Sequence, residues 1–263
     1  MRSMRTARLI AAGLLALVIV CGNASRQASA LETTQQAAEQ GHVATLQNLR
    51  QAAEQGDAEA QYKLGRLYLV GEDVSQDTQK AGTWFLRAAE QGHAMAQFDL
   101  GSLYSLGEGV PQDKHATAKW YRLAAEQGIA MAQNWLGVLY ENGDGVPQDK
   151  SKAAKWYRLA ADQDHIVAQL YLGKLYENGE GVPQDKHAAA KWYRLAAEQG
   201  YAEAQFRLGV LYENGEGVPQ DKHAAAKWYQ LAAEQGHVEA QHNLDTGYTT
   251  DEWMPQDTHK TAK

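Results

Sequence analysis

The chain has 263 residues, 44% apolar and 22% charged, which excludes a disordered polyelectrolyte and places it among globular proteins. Its formal net charge of −7 argues against nucleic acid or an anionic membrane as partner, since both call for a clustered basic face. Seven Trp and thirteen Tyr against three Phe, with 24 Gly against five Pro, point to the same few residues recurring in the same places.

At the start of the chain Arg2, Arg5 and Arg8 precede an apolar run from Leu9 to Val20, and Ala28-Ser29-Ala30 follows. This is the layout of a secretory signal peptide over residues 1–30, with cleavage expected after Ala30. The run is shorter than the roughly twenty apolar residues a membrane-crossing helix needs, so no membrane insertion is expected after cleavage. Acylation at Cys21 would make a lipoprotein instead, but Val18-Ile19-Val20 lacks the small residue usual before such a cysteine. Losing residues 1–30 leaves no cysteine, hence no disulfide or thiol chemistry, and removes four arginines, taking the formal charge from −7 to −11. The expected location is periplasmic or secreted.

Residues 31–56 hold two short segments ending in AAEQG and are expected to form an N-terminal helical cap. A 36-residue period then runs through residues 57–243, marked by Ala-Ala-Glu/Asp-Gln starting at Ala52, Ala88, Ala124, Ala160, Ala196 and Ala232. In the unit from Ala196 to Leu231, Ala204, Leu208, Leu211 and Tyr212 line one face of a first helix expected over Ala202 to Asn214. Gly215 supplies its left-handed stop. The loop through Pro219 breaks the helix, and Asp221 is a good N-cap for a second helix whose buried stripe is Trp228, Tyr229 and Ala232. Gly65, Gly101, Gly137, Gly173 and Gly209 fall at one mid-helix position, where glycine costs roughly 1 kcal/mol against alanine, so close backbone contact is expected there. Hairpins of this kind cannot bury both faces alone. The expected fold is all-α: an α/α right-handed superhelical solenoid of 36-residue helix-turn-helix repeats.

The units depart from one another at a few places. Asp73 and Ser75 stand for the loop Gly and Pro, and Asp164 stands for a helix-ending Gly, which Asp tolerates because it can adopt the left-handed conformation. Residues 244–263 depart most, with Asp245, Gly247, Asp251 and Trp253 off pattern, and are expected to form a degenerate C-terminal repeat or cap. The combined pattern of Ala/Gln, Leu-Gly-x-Leu-Tyr, Gly-x-Gly-Val, Asp, Trp-Tyr and Ala-Ala-x-x-Gly resembles the Sel-one-like repeat, a relative of the tetratricopeptide repeat, over about residues 52 to 257. That resemblance implies an adaptor that assembles complexes, and bacterial secreted members often mediate envelope or host contacts.

Positions shared by all units serve the common architecture, so a function particular to this chain is expected where they differ. On the first helix Lys63, Asp99, Trp135, Tyr171 and Arg207 are equivalent, as are Arg66, Ser102, Val138, Lys174 and Val210, three residues further along and on the same face. In repeats of this type the first helix lines the concave side. The expected binding surface is therefore a groove anchored by Trp135 and Tyr171, with Lys63, Asp99, Ser102, Val138, Lys174 and Arg207 around them for a protein or peptide partner. The alternative for Trp135 and Tyr171 is packing against neighbouring helices. The repeated Trp120, Trp156, Trp192 and Trp228 read as core rather than as stacking platforms for sugars or bases.

No chemistry is specified. His115, His187, His223 and His259 recur at one position of the repeat, separated by at least a helix-packing distance of roughly 8–10 Å if the units stack, whereas zinc needs donors about 2 Å from one point. The loop Glu141-Asn142-Gly143-Asp144-Gly145 lacks the alternating carboxylates of a calcium loop. No phosphate-cradling loop, nucleophile elbow or cysteine nucleophile is present. No metal or cofactor is expected, and the chain reads as a non-catalytic exported scaffold. Two alternatives stand beside this: the resemblance implies a β-lactam-binding or hydrolysing enzyme, as linked to cysteine-rich relatives, and the aromatic groove allows a peptidoglycan- or glycan-binding envelope module. The missing cysteines weigh against the first.

Overall fold

The computed structural model describes residues 44–248. The expected signal peptide with Cys21, residues 31–43 of the expected cap, and His259 with the rest of residues 249–263 lie outside the described residues. The chain divides after Leu64 into two compact units. In the first, helix α1 (residues 44–54) turns through Gly56, at φ 99°, into α2 (Ala58–Val70), whose leading turns belong to this unit. Asp57 caps α2 by accepting the Ala60 N–H at 2.7 Å, and buried Gln61 donates to the Ala53 carbonyl at 3.0 Å.

The second unit holds α3 (Thr78–Glu90), α4 (Ala94–Leu106), α5 (Lys114–Glu126), α6 (Ala130–Asn142), α7 (Lys150–Ala161), α8 (Ile166–Asn178), α9 (Lys186–Glu198), α10 (Ala202–Asn214), α11 (Lys222–Ala233) and α12 (Val238–Gly247). Each packs on the next in chain order, and no strand occurs among the described residues. Asp113, Asp149, Asp185 and Asp221 each sit at an N-cap in extended backbone and accept a hydrogen bond from the free amides of the first turn. Gly107, Gly143, Gly179 and Gly215 end α4, α6, α8 and α10 with φ between 70° and 79°, so the stop predicted at Gly215 recurs in every unit. Asp73 and Asp164 do take the left-handed conformation, at φ 63° and 61°.

The core is built from small residues on one side and rings on the other. Tyr157, Tyr193 and Tyr229 are fully buried, and a Cβ on Gly137, Gly173 or Gly209 would stand 2.5–2.7 Å from the nearest atom of that ring. The mid-helix glycines thus make room for the flat side of an aromatic ring, not for the neighbouring backbone that their position alone implied. Trp120 and Trp192 are buried, whereas Trp156 and Trp228 are only half-buried, so the indole row is core in some units and partly open in others.

Two polar ladders tie unit to unit. Buried Gln133, Gln169 and Gln205 donate to the carbonyls of Ala125, Ala161 and Ala197, and their own side-chain oxygens accept from Gln163, Gln199 and Gln235 at 2.8–2.9 Å. Burying an amide without partners would cost on the order of 1–3 kcal/mol, and here donor and acceptor are both satisfied. On the loop side, Lys114, Lys150 and Lys186 pair with Asp144, Glu180 and Glu216 of the following unit at 2.6–2.7 Å. His115 and His187 join the same seam, their Nδ1 atoms lying 2.9 and 3.0 Å from the carbonyls of Gly145 and Gly217. These histidines therefore act as spacers between stacked units.

Candidate partner-binding surface

Because α4, α6, α8 and α10 begin at the same register, Asp99, Trp135, Tyr171 and Arg207 form one row along the second unit, and Ser102, Val138, Lys174 and Val210 form the next. Lys63 lies in the first unit, exposed and paired with Glu59 at 3.2 Å.

The polar members of the two rows are engaged within the chain. Asp99 pairs with Arg66 at 3.6 Å. The Ser102 hydroxyl donates to the Phe98 carbonyl and shares a 3.1 Å hydrogen bond with the Tyr121 hydroxyl. Arg207 and Lys174 converge on Glu203, at 2.7 and 3.4 Å, with Arg207 also reaching Glu177. His237 completes this cluster, its Nε2 3.1 Å from Glu203 and its Nδ1 accepting the Ala240 N–H. Burial pushes the Glu203 carboxyl up, yet the hydrogen bonds from His237 and Arg207 and the charges of Arg207 and Lys174 outweigh it and hold it below the usual carboxylate range. The same carboxylates hold the Arg207 guanidinium in its charged form against partial burial.

The two aromatic anchors differ. Tyr171 is half-buried and stacks on Tyr157, ring centroids 5.2 Å apart at 18°. Its hydroxyl is pushed up by burial first and by the charge of Glu141 second. Val138 likewise leans on the core. Trp135 stays 47% exposed and has no ring or hydrogen-bond partner among the described residues. One turn before it Met131 is 43% exposed, so α6 presents two large apolar side chains at i and i+4.

Met131 was legible from its spacing to Trp135, but variation between units at its own row does not single it out. Glu141 carried less signal still. Its carboxylate accepts the hydroxyl of buried Tyr157 at 2.6 Å, and Glu177 and Glu213 accept from Tyr193 and Tyr229 in the same way. Burial and these acceptors together push the three tyrosine hydroxyls far above their ordinary range. Glu177 is additionally tied to Arg207, whereas Glu141 has no cation beside it. Trp135 and Met131 thus leave an apolar surface on α6, and the Glu141 carboxylate, without an ion pair among the described residues, acts on Tyr171 of the following first helix. Among the described residues no three His, Cys, Asp or Glu side chains gather into a metal site, and no helix is long and apolar enough to cross a membrane.

No curated protein sequence matches the chain. Among solved structures, a protective antigen present in uropathogenic Escherichia coli strains, displaying an SLR fold, is 40% identical with a TM-score of 0.73, the match covering 77% of this chain. This chain spans 44% of that antigen's length. A Sel1 repeat protein from Oxalobacter formigenes is 38% identical with a TM-score of 0.65, covering 71% of this chain and 74% of its own. The Sel1 repeat model matches residues 45–57 and then five consecutive units, 58–93, 94–129, 130–165, 166–201 and 202–237. Consecutive helical hairpins over residues 94–237, held in register by the glutamine and loop ladders, coincide with the matched units, and the chain belongs to the Sel1 repeat family.

Proposed function

We propose that the chain is a non-catalytic scaffold that holds a protein or peptide partner against the first helices of its second unit, with Trp135 and Met131 as the anchors. One observation carries this reading. Two large apolar side chains remain 47% and 43% exposed one turn apart on α6, whereas Tyr157, Tyr193 and Tyr229 are fully buried. Exposed aromatics that the free protein does not use are the usual hot spots of an interface, and membership of a family of interaction scaffolds agrees with this. Val138 and Tyr171 form the firm floor beside them, while the ion pairs of Asp99, Lys174 and Arg207 keep that wall rigid. Glu141 favours a partner that sets a Lys or Arg next to an apolar side chain.

The arginine-led apolar run from Leu9 to Val20, followed by Ala28-Ser29-Ala30, supports export, which puts the partner in the periplasm or outside the cell. Amino-terminal sequencing of the protein recovered from those compartments checks it, and an uncleaved terminus refutes it. The binding surface is tested by capture from envelope extract with the native chain and with Trp135→Ala plus Met131→Ala. Capture should fall at least about tenfold while the helical circular dichroism is unchanged. Undiminished capture by the double variant removes this surface from consideration.

A further inference from the structure

The second helices carry a separate and regular feature. Lys119 and Arg122, Lys155 and Arg158, and Lys191 and Arg194 stand three residues apart on α5, α7 and α9, at equivalent places in successive units. Among the described residues none of the six is ion-paired, although the protein is acidic overall and Lys114, Lys150, Lys174, Lys186 and Arg207 all are. Each arginine has a carboxylate four residues on, in Glu126, Asp162 or Glu198, within reach on the same helix face though in the less favourable order of base before acid. Arg122, Arg158 and Arg194 turn instead to the hydroxyls of Tyr140, Tyr176 and Tyr212 in the following helix. Arg158 also lies over the Trp192 ring at 5.1 Å, and Lys191 over the same ring at 5.7 Å. The result is a strip of cations held against aromatic side chains, with no ion pair to any of them among the described residues.

Beside these cations the surface is indented and apolar. Lys155 and Arg158 border a pocket of about 380 Å³ floored by Ala154, Leu172 and Val182. Lys191 and Arg194 border the equivalent hollow one unit later, about 240 Å³, floored by Ala190, Leu195 and Val218. Both lie at or below the small end of small-molecule sites, about 300–1,000 Å³, so they fit single side chains rather than a cofactor. No acidic residue lines either one. Leu159, one turn from Lys155, is 47% exposed and extends the apolar strip.

The geometry points to a second binding surface on the second helices, which takes an extended acidic peptide whose carboxylates meet the Lys/Arg pairs while neighbouring aliphatic side chains enter the hollows. Charge complementarity selects the acid. The apolar floors select a peptide over a simple polyanion, which has nothing to place in them. The surface is distinct from the one around Trp135: its cations all lie on the second helices, and although Leu172 and Tyr176 of α8 line one hollow, neither Trp135 nor Met131 borders either one.

Fluorescence anisotropy of the full chain with a fluorescein-labelled peptide of repeated Glu-Leu-Ser triplets tests this. Binding is expected, and charge reversal by Lys155→Glu with Lys191→Glu should weaken it at least about tenfold, as should raised salt. Both lysines are exposed, and unchanged circular dichroism verifies that the variant folds. Trp135→Ala should leave this binding intact. Four results overturn the proposal: no binding by the Glu-Leu-Ser peptide, equal binding by a Gln-Leu-Ser peptide, equal binding by a Glu-Ser-Ser peptide or inorganic polyphosphate, or loss of binding in Trp135→Ala.

Discussion

Replacing Gly137 with alanine sets two effects of opposite sign against each other. In an exposed helix interior the change stabilises by up to about 1 kcal/mol, because glycine gives up more backbone entropy on folding. Here the new Cβ would stand 2.6 Å from Cδ1 and Cε1 of Tyr157. That ring is fully buried, and its hydroxyl is anchored to Glu141 at 2.6 Å, so it cannot swing away without breaking a hydrogen bond. Overpacking of this kind costs about 1–3 kcal/mol, with about 1 kcal/mol more for the lost hydrogen bond. The clash wins, and Gly137→Ala should lower stability by about 1–3 kcal/mol in urea unfolding followed by circular dichroism. The decisive comparison is the Tyr157→Ala background. Removing the ring costs about 3–5 kcal/mol by itself, but adding Gly137→Ala there should then stabilise by up to about 1 kcal/mol. A stabilising Gly137→Ala in the native background, or the same sign in both, would refute the claim that the glycines exist to seat the rings.

Other substitutions probe neighbouring parts of the same architecture. Asn134 is 5% exposed, and its side-chain oxygen accepts no hydrogen bond, while the equivalent positions hold Phe98, Leu170 and Phe206. Asn134→Leu should therefore raise the urea midpoint, gaining about 1–3 kcal/mol, and a loss would mean the amide is engaged. Gly145 has φ 67°, and a Cβ there would lie 2.0 Å from the Lys114 carbonyl oxygen of the preceding unit. Gly145→Ala should cost about 1–2 kcal/mol from its backbone conformation alone and more from the clash, and limited proteolysis should show new cleavage near this loop. The buried hydroxyls of Tyr157, Tyr193 and Tyr229 ionise well above their ordinary range, so above about pH 10 the unfolded chain releases protons that the folded chain retains. Stability should be intact below pH 10 and fall as pH rises past it. Tyr157→Phe should flatten that fall, and a fall of unchanged steepness counts against burial as its cause.

The repeat, its hairpins and its punctuation were legible in the residues because they rest on local physics. A helix over Ala202–Asn214, a left-handed stop at Gly215 and a cap at Asp221 each follow from the conformational preference of one residue type, and recurrence every 36 residues multiplies the signal. The rows of Asp99, Trp135, Tyr171 and Arg207 were legible for the same reason, since constant register places equivalent residues in line. Which of them remains open was not. Tyr171 stacks on a ring fourteen positions earlier, and Arg207 meets Glu203, Glu177 and, through Glu203, His237 thirty residues on. Solvent exposure and ion pairing are properties of what arrives from the next helix, and no periodicity records them. The same holds for Glu141 under the Tyr157 hydroxyl, for the ring on Gly137, and for arginines that pass over a carboxylate in their own helix to reach a tyrosine in the following one. Short-range preferences decide where each helix begins and ends, while contacts between helices decide which side chains are left for another molecule.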